Sequence, residues 1–364
     1  MKTAIIAQLL AFMLAISSGI LPNQTSLIPE QPIPLASASK LTVYFIDVGQ
    51  ADSALVVCDG ATMLIDGGNV GDSNVMYSFL DKHSVAHLDY VVATHAHEDH
   101  VGGLSGALNY ATVGTVYSPV KTYDSRAFTN FIGNVEKQEV LVTTPVAGGS
   151  FTLGGATVDI FAPVKNYDEP NNTSIVLKVT HGKVSFLFTG DAEREAEQDI
   201  LAMGFDLSAT VLKVGHHGSE TSTSYAFLRE VMPEYAVISC GTNNSYGHPH
   251  ESVLSRLRDA EVKLYRTDMQ GDITFVSNGA TISIATQRNA GVQTNSSTSS
   301  SAIDKPTTNT SSPTGDTNYI GNKNSLKFHI ASCRSLPLES NRVYFANRDI
   351  AVSAGYTPCG ICHP

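Results

Sequence analysis

The chain is 364 residues long, 42% hydrophobic and 16% charged, with a net charge of −11. That length admits one core of enzyme size plus an appendage, because single cores stop growing near ~250 residues. No apolar run of about 20 residues follows the N-terminal region, which excludes a membrane-spanning body. The acidic balance works against long-range attraction of a polyanion.

Residues 1–38 read as a removable export signal. Lys2 supplies the n-region charge, Ile5 to Ile16 the apolar h-region, and Ala36-Ser37-Ala38 a small-x-small cleavage site. An uncleaved membrane anchor is the competing reading. No cysteine lies near the cleavage site, so a lipid-anchored form is disfavoured, and the mature protein is expected outside the cytoplasm. Alternation then predicts strands at Leu41 to Val48, Ala54 to Cys58 and Met63 to Ile65, with a helix at Val75 to His83. Strands at Tyr90 to Thr94, Thr157 to Phe161, Ile175 to Thr180 and Val184 to Thr189 alternate with helices at Arg126 to Lys137 and Ala192 to Met203. The rhythm continues from Val211 to Ala285 and implies α/β layers, sheets covered by helices, over residues 39–286. Residues 287–318 are rich in Ser, Thr and Asn and nearly free of apolar side chains, the composition of a linker.

The densest chemistry lies in Thr94-His95-Ala96-His97-Glu98-Asp99-His100-Val101-Gly102-Gly103, directly after an apolar strand. Three imidazoles and a carboxylate at that spacing suit two neighbouring divalent metals. His95 and His97 alternate on one extended segment and are expected to share one metal, while Asp99 and His100 turn toward the second. The Gly-Gly pair permits close backbone approach. Asp191 follows an apolar strand and a glycine. His216 and His217 follow another strand, and one of them is expected to complete a metal shell. His248 is a candidate ligand or general acid. Asp66, Asp47 and Gln50 sit at strand ends, where they can orient ligand histidines. His83, His87, His181 and His250 lack such context and read as packing or surface residues.

Together these motifs resemble the metallo-β-lactamase superfamily, most closely the metallohydrolase domain of ComEC competence proteins. The resemblance rests on Asp47-Val48-Gly49-Gln50, Ile65-Asp66-Gly67-Gly68, the His95 to Gly103 block, Asn171-Asn172-Thr173-Ser174, Thr189-Gly190-Asp191, Gly215-His216-His217-Gly218-Ser219 and Tyr246-Gly247-His248-Pro249. It implies an αββα sandwich holding two divalent metals, zinc or manganese. Asp191 is then the carboxylate that bridges them, Asp99, Asp191 and His248 are the catalytic set, and the attacking hydroxide is generated by the metals. Asn172, Ser174 and Ser219 are expected to face substrate. Many superfamily members carry a Gly-His ligand ahead of the bridging aspartate. Here that region reads Asn171 to Ser174, as in the ComEC-like branch, which leaves the ligand count of one metal open.

Five cysteines are present and three fall in the last 32 residues, which is not a disulfide framework spread over a secreted fold. His329-x3-Cys333 with Cys359-x2-Cys362 forms the ligand set of a structural zinc in a small module at residues 319–364. From Tyr319 onward five basic residues oppose two acidic ones, so the module carries +3 and the rest −14. The module resembles the zinc-binding domain of Ada methyl-phosphotriester repair proteins. The position of the methyl-accepting cysteine is taken here by His329, which implies a DNA-touching module without repair chemistry. A stability cap, a cell-surface attachment or a Cys359-Cys362 disulfide are the competing readings.

The expected function is a secreted metal-dependent nuclease or phosphodiesterase acting on DNA. The alternatives are an esterase on a small or wall-linked phosphodiester, like the secreted phosphorylcholine esterases, and a DNA-binding or uptake accessory without turnover.

Overall fold

The computed structural model describes residues 39–288 and 319–364, apart from 332, 334, 335, 338–340, 360, 361 and 363. The expected export signal and nearly all of the expected linker lie outside the described residues. Two sheets face each other. One runs in the spatial order Ile282–Thr286, Ile273–Ser277, Leu41–Phe45, Ala54–Cys58, Ala61–Ile65, His87–Val92, Thr112–Tyr117, Val142–Thr143. The other runs Lys263–Arg266, Tyr235–Ile238, Val211–Lys213, Val184–Phe188, Val176–His181, Ala156–Ala162, Ser150–Leu153.

Period-two side-chain alternation builds the layers. Along Ala54–Cys58, Ala54, Val56 and Cys58 enter the core between the sheets, whereas Leu55 and Val57 enter a second core against the helices Ser73–Lys82, Leu104–Tyr110 and Arg126–Glu136. Along Val184–Phe188, Val184, Phe186 and Phe188 face the same central core, while Leu187 faces a third one under Arg194–Ala202, Tyr225–Val231 and Glu251–Asp259. Three apolar cores separate four layers, the α/β sandwich expected. Phe275 anchors the central core, fully buried, with ring centroids 5.8 Å from Phe45 and 5.9 Å from Phe186. Phe275→Ala is expected to cost ~3–5 kcal/mol in denaturant unfolding, the range for deleting a buried aromatic ring.

The structure adds elements that periodicity did not suggest, among them helix Leu104–Tyr110 and strands Thr112–Tyr117 and Ser150–Leu153. Glycine hides the first of these from propensity. A Cβ on Gly106 would sit 1.8 Å from the Ser73 carbonyl oxygen, so this helix needs glycine to lie against its neighbour. Gln287 and Arg288, expected in the linker, belong to the body instead. Their amides bond to the carbonyls of Asp272 and Gln270, at 2.8 Å each.

Residues from Tyr319 form a separate four-stranded sheet in the order Arg342–Phe345, Tyr319–Asn322, Lys327–Ile330, Thr357–Pro358, with helix Arg348–Ser353. Its apolar core is built on Phe328, Phe345, Ala351 and Tyr356, with Tyr319, Leu326 and Val343 packed against them. No helix among the described residues is long and apolar enough to cross a membrane.

Candidate metal centre

Parallel strands end together, and the loops at those ends carry the chemistry. Ala61–Ile65 pairs in parallel with His87–Val92, so Asp66 and the segment from Thr94 to His100 emerge side by side. In the facing sheet Val184–Phe188, Val211–Lys213 and Tyr235–Ile238 are also parallel, and they deliver Asp191, His216 with His217, and the loop bearing His248. The two sets meet at one edge of the sandwich. Close approach is built into the backbone, since a Cβ on Gly103 would lie 1.9 Å from the Gly67 carbonyl oxygen.

Asp99, His100, Asp191 and His217 place one ligand atom each within 4.8 Å of one another. Asp191 is 2% exposed. Its Oδ2 lies 3.3 Å from His100 Nε2, 3.5 Å from His217 Nε2 and 3.7 Å from His216 Nε2, while His217 Nε2 is also 3.2 Å from Asp99 Oδ2. His95 Nε2 and His97 Nδ1 converge at 3.0 Å, with the His95 ring 4.1 Å from that of His100. Asp191 Oδ1 and His100 Nε2 are buried with no hydrogen-bond partner among the described residues. Ligand atoms converging without bonds of their own fit a bound cation. The tail offers a second cluster of ligand types: His329, Cys333, Cys359 and Cys362 also lie within 4.8 Å of one another, and His329 Nε2 is buried with no hydrogen-bond partner among the described residues. Glu261 of the body reaches this cluster, its Oε1 2.5 Å from Cys359 Sγ.

Supporting contacts set the orientation of the histidines. Asp66 Oδ2 sits 2.8 Å from His100 Nδ1, and Thr94 donates to both carboxylate oxygens, from N at 2.8 Å and Oγ1 at 2.7 Å. His100 is thereby turned with Nε2 toward Asp191. Glu193 holds His216 through Nδ1 at 3.2 Å while accepting from Thr221 Oγ1 and Asn171 Nδ2. Lys213 points into the space between the sheets and meets Asp52 of the opposite sheet at 2.7 Å, and Asp52 in turn lies 3.4 Å from His217 Nδ1. Burial by itself would raise the Asp52 carboxyl, but Lys213 and His217 outweigh it and bring it to about 2. Burial likewise disfavours charge on His217, and Asp191 and Asp52 overcome it, raising the imidazole to about 10.

Several expected placements are revised. Asp47 contacts no ligand histidine: its Oδ2 pairs with Arg288 at 2.5 Å, because the chain after Thr286 folds back over it. Gln50 serves His248, Nε2 to Nδ1 at 3.3 Å, rather than a histidine of the cluster. Asn172, expected to face substrate, is buried, and its Oδ1 accepts from the amides of Glu193 and Ala196 at the start of the helix Arg194–Ala202. Ser174 is fully buried, and its Oγ accepts from the Asp191 amide at 3.0 Å. Ser219 bonds to Thr221 within its own turn. Asn171, on the other side of the 3-10 turn Pro170–Thr173, is the one that lines the open cleft of about 340 Å³ above the carboxylates, with Glu98 and Tyr246. Glu193, Lys213, Asn171 and Tyr246 are site residues that the sequence reading does not assign a role. Their only signals are positional: Glu193 lies two residues after Asp191, Lys213 three before His216, and Asn171 and Tyr246 within the motifs that hold Asn172 and His248. His83 stacks on Tyr44 and Phe79, His181 bridges Ser39 and Ser277, His87 meets Thr112, and His250 accepts from the Glu220 amide.

Residues 46–242 match the family described as Metallo-beta-lactamase superfamily. The chain is 30% identical over 257 residues to ComE operon protein 3 of Bacillus subtilis, covering 65% of this chain and 33% of that protein. It is 33% identical over 233 residues to competence protein ComA of Neisseria gonorrhoeae, covering 63% of this chain and 31% of that protein. It thus spans about a third of the length of the curated relatives it matches. A solved structure, the metallo-beta-lactamase fold protein YhfI of Bacillus subtilis, aligns with TM-score 0.42 at 13% identity over 62% of this chain and 96% of that one.

Proposed function

Because the chain belongs to the metallo-β-lactamase superfamily, which matches more than half of its length, we propose that this metallohydrolase is an exported phosphodiesterase that cleaves DNA. The observation that carries the phosphodiesterase reading is the convergence of Asp99, His100, Asp191 and His217 beneath an open polar cleft. DNA is favoured because two of the similar proteins are named a competence protein and a recombination protein. Export rests on residues 1–38, and DNA holding by the tail rests on its +3 charge and on the zinc-module resemblance.

His95, His97, Asp99, His100, Asp191, His216 and His217 are the residues that would hold two divalent metals. Bound there, such metals lower the pKa of a water and neutralise phosphoryl charge. The protein's own contribution is to place the ligands and to present hydrogen-bond donors. Gln50 Oε1 accepts from the Gly241 amide at 3.0 Å, so its Nε2 is the group that donates to His248 Nδ1. The His248 proton therefore sits on Nε2. Burial, then the neighbouring His217 and His216, lower this imidazole to about 4, so it is neutral at neutral pH. In our reading His248 is a hydrogen-bond donor to a substrate oxygen, in place of the ligand or general acid expected from sequence.

The test is hydrolysis of single- and double-stranded DNA by the purified chain with Mn²⁺ or Zn²⁺. Turnover of a small phosphodiester without any cleavage of DNA would replace this reading with the wall-ester one. Asp66→Ala is expected to weaken metal affinity about 10- to 100-fold, the usual effect of removing a carboxylate behind a ligand histidine, as read by titration with a metallochromic competitor. Unchanged affinity would remove Asp66 from the site.

A further inference from the structure

Two tyrosines reach the metal centre through contacts with different histidines. Tyr123 lies 6.0 Å from the ring of His97, which is itself 4.7 Å from His95. Tyr246 stacks on His248 at 5.6 Å with an interplanar angle of 24°, and His248 lies 6.3 Å from His217. His95 and His217 are each neighbours of His100, at 4.1 and 5.4 Å. The rings thus form an unbroken chain of neighbours from Tyr123 through His97, His95, His100, His217 and His248 to Tyr246.

Tyr246 is 66% exposed, yet its turn is held firmly. Asn244 Oδ1 accepts from the amides of Tyr246 and His248, and Asn244 Nδ2 donates to the carbonyls of Gly241 and His248. An exposed aromatic on a fixed turn at the mouth of a polar cleft contributes little to folding and is preorganised for a planar ligand. Tyr123 is half-buried and meets Phe128 edge to face at 6.1 Å, and the exposed cations Lys121 and Arg126 stand on either side of it in the chain, with Asp124 between them.

Resting on the DNA reading above, we infer that the substrate is single-stranded DNA, bound with its scissile phosphate at the metal centre and the bases on either side stacked on Tyr123 and Tyr246. Bases in a duplex are already stacked on one another and offer no free face, whereas unpaired bases stack on aromatic side chains irrespective of sequence. Lys121 and Arg126 meet the backbone on the Tyr123 side and locally offset the acidic body.

The experiment measures KM and kcat on a 12-nucleotide oligothymidylate and on a duplex of equal length. It also measures anisotropy binding of the labelled single strand in an Asp191→Asn background. Tyr246→Ala is expected to weaken single-strand binding and raise KM roughly tenfold with a smaller change in kcat, and Tyr246→Phe to restore both. Tyr123→Leu, which keeps the packing on Phe128, is expected to act in the same direction. Both changes should erode the preference for single strand over duplex. Cleavage of both substrates with equal KM, or single-strand binding unaltered in Tyr246→Ala and Tyr123→Leu, overturns the stacking inference and leaves the nuclease reading standing. Absence of DNA cleavage by the unmodified chain overturns the nuclease reading itself.

Discussion

Asp191→Ala is expected to lower phosphodiester hydrolysis on the order of a thousandfold or more, the scale seen when one member of a catalytic unit is removed. Three imidazole nitrogens lie within 3.7 Å of its Oδ2, and its Oδ1 has no hydrogen-bond partner among the described residues. No other described carboxylate stands among all three. The loop does not depend on the carboxylate, because the Asp191 amide donates to Ser174 Oγ and the Gly190 carbonyl accepts from the His216 amide. With the carboxylate gone, His100 loses the neighbour that most favours its charged form, and burial then returns it toward neutrality. The variant should therefore stay folded by circular dichroism while losing activity and bound metal together. An active Asp191→Ala enzyme would remove the hydrolytic role from this cluster altogether.

Cys333→Ser is expected to remove one equivalent of metal per chain and to melt the module that begins at Tyr319, leaving the body folded. The core cluster of Phe328, Phe345, Ala351 and Tyr356 is small for a module of 46 residues, and domains of that size usually need a metal or a disulfide. Structural zinc supplies roughly 10–16 kcal/mol in comparable small sites. The check is elemental analysis together with limited proteolysis: digestion should accelerate within the module and stay slow in residues 39–288. Retained metal and an unchanged digest, or a Cys359-Cys362 disulfide found by mass spectrometry, would overturn the zinc assignment.

The strands with one face in each of two cores were legible as short, nearly continuous apolar runs, because both faces are buried. Ala54–Cys58 is found with the bounds expected, and Val184–Phe188 ends one residue early. Helix Leu104–Tyr110 was not legible, because the close approach to Ser73 requires a residue of low helix propensity. Within the site, the histidine and aspartate block could be read because its ligand types crowd into six consecutive residues.

Residue type and spacing alone determined the chemistry of this protein: which side chains can ligate a metal, that they follow strand ends, and that the last 46 residues carry a ligand set of their own. Only the tertiary structure decided which way each neighbour faces. Asn171 and Asn172 are adjacent in the chain, yet one lines the cleft and the other caps a helix, because a tight turn sends successive side chains to opposite sides. Lys213 and Asp52 are 161 positions apart and become an ion pair only when two sheets close over a shared core. Asp47, near Asp66 and Asp52 in the sequence, is drawn away by Arg288, a residue 241 positions later. Local sequence specifies donors and acceptors, but their pairing in a low-dielectric interior depends on long-range packing, which carries no signature in any short stretch of chain.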